Sequence, residues 1–196
     1  MIDFAKLQPG AERVHWQLAD AQALPFSDQT FDIVVCQFGV MFFPDKEKAY
    51  REALRVLKPS GRFFFNVWDR VETIDLVFIL NNTLTRMFPD NPPRFIERTA
   101  MGYHDVVKIR ADLVRAGFIE STVDTRTLPC SASSARNVAF GLVQGTPVVA
   151  EITERDAAGF DKVVEAATRA ITARFGPGPI EASMQAHIVM ATRRLH

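Results

Sequence analysis

The sequence predicts one α/β domain, built on a largely parallel sheet that ends in antiparallel strands. Three observations carry this. The run Phe31-Asp32-Ile33-Val34-Val35-Cys36-Gln37-Phe38 has the length and β-branching of a strand buried on both faces. A helix and a second apolar strand follow it at the spacing of a βαβ unit. Late in the chain, 118–128 and 180–193 alternate as antiparallel strands do. No repeat or low-complexity tract interrupts the 196 residues, and the Pro/Gly clusters are too short to act as linkers.

Each element has a local reason. Val14 to Asp20 reads as a short strand ending in an acid, and Ser27-Asp28-Gln29 as a turn before the first long strand. Asp45 to Lys58 is the clearest helix. Ala49, Tyr50, Ala53, Leu54 and Leu57 share one face, and Lys58-Pro59-Ser60-Gly61 ends it with Gly61 able to adopt a left-handed conformation. Arg62 to Asp69 is the next buried strand. Thr73 to Phe88 is a strongly apolar helix, and His104 to Ala116 an amphipathic one closed by Gly117. Ala135 to Gln144 and Asp156 to Phe175 are helical, the latter stopped by Gly176-Pro177-Gly178-Pro179. In the last strand, Ile180, Ala182, Met184, Ala186, Ile188 and Met190 are expected on one face.

Composition excludes several classes. There are 23 basic and 23 acidic residues, so no general nucleic-acid footprint is expected. Two cysteines, Cys36 and Cys130, cannot make a disulfide scaffold, and buried reduced thiols are expected. No apolar run has the length of a membrane span, and residues 1–6 lack the apolar block of a signal peptide. The expectation is a cytoplasmic protein with no membrane and no nucleic-acid partner. Sixteen Phe against two Tyr points to a generous apolar core or an apolar ligand cavity.

Three blocks carry a family resemblance. They are Ala19-Asp20-Ala21-Gln22-Ala23-Leu24-Pro25-Phe26, then residues 31–38, then Arg55-Val56-Leu57-Lys58-Pro59-Ser60-Gly61-Arg62. In this order and spacing they resemble class I S-adenosylmethionine-dependent methyltransferases, closest to the group that includes the quinone-biosynthesis C-methyltransferases. The resemblance is strong over residues 1–69 and looser beyond. It implies a Rossmann-like sheet with an antiparallel late-strand hairpin, and a helical lid or insertion over 73–116. Ser60 stands where the family usually has glycine, which a turn tolerates unless that residue needs a positive φ.

A second departure concerns the start. The family's first strand ends in a Gly-x-Gly-x-Gly loop against the cofactor, and its second in an acid that binds the ribose. Of the ten glycines here, only Gly176 and Gly178 show that spacing, in the wrong context. By the resemblance, residues 1–10 align with the helix after the second strand. The sheet is therefore expected to be incomplete at the N-terminus, with strands 1 and 2 absent, a shortfall of about 60 residues. A normal enzyme that is N-terminally truncated, strand 3 closing on strand 4, and a second copy filling the sheet centre (a homo-oligomer) are the three readings.

The resemblance also nominates site residues. Asp20 would accept from the adenine amine and Ala21 offer a backbone N–H; the alternative for Asp20 is a local turn. Leu24 would pack on adenine or anchor its loop. Gln37 and Phe38 end a strand at the cofactor mouth. Trp68 and Phe78 would face the acceptor, with Asp69 lining the pocket or capping a helix. His104 beside Asp105 is a candidate base, or simply part of a helix start. No metal motif, nucleophile elbow or Gly-x-Gly-x-x-Gly fingerprint occurs, which sets aside metalloenzymes and nicotinamide dehydrogenases. Methyl transfer needs positioning and water exclusion more than acid–base help, so no catalytic residue is nominated. The expected function is transfer from S-adenosylmethionine to a small hydrophobic acceptor. The rival is a non-catalytic remnant acting as a binding or oligomerisation module.

Overall fold

The computed structural model describes residues 2–194. A four-residue helix α1 (Ile2–Ala5) opens the chain. Then come β1 (Phe31–Gln37), α2 (Lys46–Val56), β2 (Leu57–Trp68), α3 (Asp75–Met87), α4 (Val106–Ala116) and β3 (Glu120–Ala132). Helices α5 (Ala135–Gln144), α6 (Val148–Arg155) and α7 (Gly159–Phe175) and strand β4 (Ile180–Thr192) complete it. The sheet order is β1-β2-β4-β3. β1 runs parallel to β2, and β4 is antiparallel to both β2 and β3. The βαβ unit and the two late antiparallel strands stand as the residue pattern predicts.

The helix starts follow from capping. The Asp45 carboxylate accepts the Lys48 N–H at 2.9 Å, and Asp105 accepts from Val107 and Lys108. Ser134 accepts from Asn137 at the start of α5. Gly117 closes α4 at φ 104°, a conformation a side chain disfavours.

Two apolar clusters lie on opposite faces of the sheet and at opposite ends of β4. Under α2 and α4, Tyr50, Phe63, Phe65, Phe118, Ile109 and Leu113 pack with Val189 and Ala191. On the other face α3, α5 and α7 enclose Leu80, Leu84, Ala139, Val164 and Ile171 with Ile180. Trp68 touches both clusters.

Three expectations change, and one helix was not foreseen. β1 is not buried on both faces: Val34 and Cys36 face the α2/α4 cluster, while Ile33 and Val35 are 56% and 67% exposed. Among the described residues β1 pairs only with β2, so one of its edges and the Ile33/Val35 face are open. The stretch 14–19 makes no ladder, and only an isolated bridge joins Asp20 to Ala23; an extended segment without a paired neighbour cannot be a strand. The even-numbered face of β4 is buried only at its start. Ile180 is covered by the α3/α5/α7 layer, but Ile188 is exposed, and the odd-numbered His187, Val189 and Ala191 are buried instead. A 13-residue strand outruns the helical layer on either side, so its buried face switches along its length. Helix α6, only two turns long, gives too weak a periodicity to be read from the sequence.

The irregular stretch inside β2, where its register against β1 shifts, also differs. Ser60, not Gly61, holds the left-handed conformation, at φ 63°. Gly61 is needed for closeness: a Cβ there would lie 2.8 Å from the Lys58 carbonyl oxygen and 3.1 Å from that of Asp32. Ser60→Gly is expected to raise stability by about 0.5–1 kcal/mol, read by urea denaturation, because it removes left-handed strain at an exposed position.

Helix α6 clamps the loop after α3. The Glu151 carboxylate accepts the N–H groups of Arg94 (2.7 Å) and Phe95 (3.1 Å) and a guanidinium N–H of Arg98 (2.8 Å). Burial pushes this carboxyl up, but those N–H bonds and the Arg98 charge outweigh it and hold it below the ordinary glutamate value. A carboxyl lowered on folding stabilises the protein above its unfolded-state pKa and loses that contribution as pH falls through the folded value. Glu151→Ala should therefore cost about 1–3 kcal/mol at neutral pH, and the gap from the parent should shrink in acid, measured by denaturation at several pH values.

Candidate functional site

The parallel pair β1–β2 brings two strand C-termini side by side, with Gln37 in register beside Asn66. Ligands of open α/β sheets bind at such carboxyl ends. Gln37 is exposed there, over a cleft shared with Val35, Phe64, Asn66 and Ile188. The chain then turns sharply. Phe38 has φ 48°, the left-handed region, and its N–H donates to the Asn66 side-chain oxygen at 2.8 Å. Its ring stacks on Trp68, with centroids 4.0 Å apart and planes at 19°. Gly39 follows because a Cβ there would lie 2.7 Å from the Cys36 sulfur. Burial pushes the Cys36 thiol up, partly opposed by the N–H groups of Gly39 and Val40.

Behind Trp68 lies an apolar cavity of about 320 Å³. Its walls are Leu76, Val77 and Leu80 of α3, Phe95, Ile96, Ala100 and Met101 of the following loop, Leu142 of α5, and Met184 of β4. Ile96–Ala100 forms a single π turn, the segment that Glu151 anchors. Polar atoms in the walls are few. The Thr146 hydroxyl donates to the Leu142 carbonyl, and burial and the Asp75 charge raise the Cys130 thiol pKa, keeping it neutral. This interior can hold a small neutral apolar molecule and offers nothing to a charged one. A larger depression, about 550 Å³, is lined by Arg70, Glu72, Glu97 and His104 and is more open.

The nominated residues fall into three groups. Gln37, Phe38 and Trp68 are brought together around the β1–β2 mouth. Asp20, Ala21 and Leu24 sit on a loop fastened to α2. The Asp20 Oδ1 accepts the Gln22 N–H at 2.8 Å, the Leu24 N–H donates to Glu52 at 2.7 Å, and Arg55 donates to the carbonyls of Leu24 and Phe26. The Arg55 bond holds the Glu52 carboxyl below its ordinary value. Phe78 and His104 form no part of the cavity wall: α3 turns Leu76, Val77 and Leu80 inward, and Phe78 is exposed. The His104 Nδ1 lies 2.7 Å from the Met101 carbonyl oxygen, while the Asp105 carboxylate caps α4, so the two do not pair. Asp69 neither lines the cavity nor caps α3. Its Oδ1 accepts the Arg70 N–H and faces His187 Nε2 at 3.2 Å.

Three features had no local sequence signal. Asn66 is one polar residue inside a Phe-rich strand. His187 is buried and contacts Asp69 and the Thr125 hydroxyl, groups from three different strands or strand ends. Tyr50, Tyr103 and Asp112 form a buried chain: Tyr50 donates to Tyr103 at 3.3 Å and Tyr103 to Asp112 at 2.7 Å. Burial pushes both phenols well above their ordinary range. Among the described residues no cluster of three His, Cys, Asp or Glu could hold a metal ion, and no helix is long and apolar enough to cross a membrane.

A family profile described as a methyltransferase domain matches residues 1–65. The uncharacterized methyltransferase YcgJ of Bacillus subtilis is 46% identical over 56 residues, 29% of this chain and 22% of that protein. A ubiquinone/menaquinone biosynthesis C-methyltransferase, UbiE of Idiomarina loihiensis, is 53% identical over 49 residues, 25% of this chain and 20% of that protein. The matched stretches thus span about a fifth of these curated relatives. The crystal structure of the Bacillus YcgJ protein aligns with a TM-score of 0.55 at 21% identity, covering 99% of this chain and 76% of that one. At that identity the likeness is one of fold. Residues 1–65 carry the methyltransferase-domain pattern, and the chain shares its fold with the YcgJ structure.

Proposed function

We propose that this protein transfers a methyl group from S-adenosylmethionine to a small, neutral, apolar acceptor held behind Trp68. The observation that carries the reading is the apolar cavity that opens directly behind the Phe38–Trp68 stack, at the mouth of the β1–β2 pair. The methyltransferase-domain pattern over residues 1–65 supports it, as does a relative whose name specifies quinone biosynthesis. The residues present fit part of such a cofactor. Asp20 is exposed and has one carboxylate oxygen bonded within its own loop, leaving the other to accept from the adenine amine. Ala21 and the half-buried Leu24 side chain stand next to it, and Gln37 presents an amide at the strand mouth. S-adenosylmethionine held by Asp20, Ala21 and Leu24 would supply an electrophilic sulfonium methyl, which the acceptor's nucleophilic atom would take with the electron pair of the broken carbon–sulfur bond left on sulfur.

The chain's own residues position and desolvate. Leu76, Val77, Leu80 and Met184 exclude water and give the acceptor a shaped apolar bed. Trp68 bounds that bed on the side of the strand mouth. Among the described residues no charged side chain lines the wall, so the acceptor's own acidity is left to set the pH response.

Calorimetric titration of the protein with S-adenosylhomocysteine tests the cofactor reading. Saturable binding is expected, weakened about tenfold in Asp20→Ala. Absence of binding, with a folded protein by circular dichroism, overturns the reading and favours a non-catalytic module. For the cavity, Leu142→Trp should fill the space and abolish binding of a neutral bicyclic phenol such as 1-naphthol, followed by quenching of tryptophan emission in the parent and by calorimetry in the variant.

A further inference from the structure

We propose that Asn66 is a positioning residue: its side-chain oxygen locks the left-handed turn at Phe38, and the lock seats the Phe38 ring on Trp68 as the wall between the strand mouth and the apolar cavity. Only the consequence for the acceptor rests on the function proposed above; the lock itself does not.

The geometry runs through two adjacent strands. Phe38 is a bulky residue at φ 48°, a conformation that its Cβ disfavours and that persists only where surroundings over-determine it. One hydrogen bond does so here. The Phe38 N–H lies one residue past the last paired position of β1. Asn66 stands in register beside Gln37, and its side chain reaches that N–H at 2.8 Å. Two residues further along β2, on the same face, comes Trp68. The left-handed turn delivers the Phe38 ring onto the Trp68 indole at 4.0 Å. Trp68 in turn forms part of the cavity wall. A single strand therefore carries both the lock (Asn66) and the surface the locked residue rests on (Trp68). An extended Phe38 would swing its ring off Trp68 and leave that side of the cavity unsupported.

The requirement is for an acceptor atom at this height. Asp in place of Asn keeps it; Leu keeps the size and loses it. The chain has two tryptophans, Trp16 and Trp68, so in a Trp16→Phe background Trp68 alone reports. In that background Asn66→Leu is expected to red-shift Trp68 emission and remove its near-ultraviolet circular-dichroism band, and Asn66→Asp to keep both. Phe38→Leu, which retains the Asn66 bond but removes the stack, should give the Asn66→Leu signature even if Asn66→Leu does not fold. Affinity for 1-naphthol should fall about tenfold in Asn66→Leu and be restored to within about twofold in Asn66→Asp. Loss of the Trp68 signature in both Asn66 variants overturns the proposal, as does its retention in Asn66→Leu or in Phe38→Leu. If the parent binds neither S-adenosylhomocysteine nor 1-naphthol, the methyl-transfer reading fails, and the Trp68 spectra still decide the role of Asn66.

Discussion

Everything in this fold hangs on β2, which pairs in parallel with β1 on one side and antiparallel with β4 on the other. Its odd-numbered residues Phe63, Phe65 and Val67 are almost wholly buried against α2 and α4. Tyr50, Phe63, Phe65 and Phe118 form one aromatic stack, with neighbouring ring centroids 5.1–5.9 Å apart. Contacts of this kind add to the area they remove from water and allow few alternative packings. The other residues of β2 build the site instead: Asn66 holds the turn after β1, and Trp68 walls the cavity. The period-two geometry of one strand thus separates the face that packs the core from the face that borders the cavity.

That separation explains why the cavity sits where it does. The helical layer α3/α5/α7 covers the sheet face only near the start of β4, and the opposite layer only near its end. Trp68 lies where the two layers meet. A side chain at such a seam has close-packed neighbours on both sides and an unfilled space between the helices, which is where small-molecule sites of α/β proteins arise. Helix α6 contributes at a distance: its Glu151 satisfies two backbone N–H groups of the loop that bends over the cavity. A loop carrying such groups unpaired could not lie flat on an apolar interior.

Local rules account for much of the secondary structure. Asp45 and Asp105 cap helices as their position before an apolar-periodic stretch suggests, and Gly117 ends α4 in a left-handed conformation. Where local rules failed, a long-range partner was missing or unexpected. Residues 14–19 have strand-like alternation but no neighbouring strand among the described residues. Ile33 and Val35 have strand propensity and apolar surface, yet burial needs a second layer, and none of the described residues forms one over them. At Ser60 and Gly61 the glycine does stand at the tight point, but for closeness to two carbonyls and not for its φ.

The site divides along the same line. Gln37, Phe38 and Trp68 could be nominated from the sequence because strand ends in a βαβ unit are predictable in space. Phe78 and His104 could not be judged that way, since a rotation of one residue on α3 or a competing carbonyl at Met101 decides where each points. The sequence by itself determined the α/β class, the βαβ unit and the methyltransferase pattern of its first third, because these depend on periodicity and short-range spacing. Only the tertiary structure decided that Asn66 meets Phe38, that His187 meets Asp69 and Thr125, and that Leu76 and Leu80 rather than Phe78 line the cavity. Those pairings join groups far apart in the chain, and their geometry exists only once the strands have registered and the helices have packed.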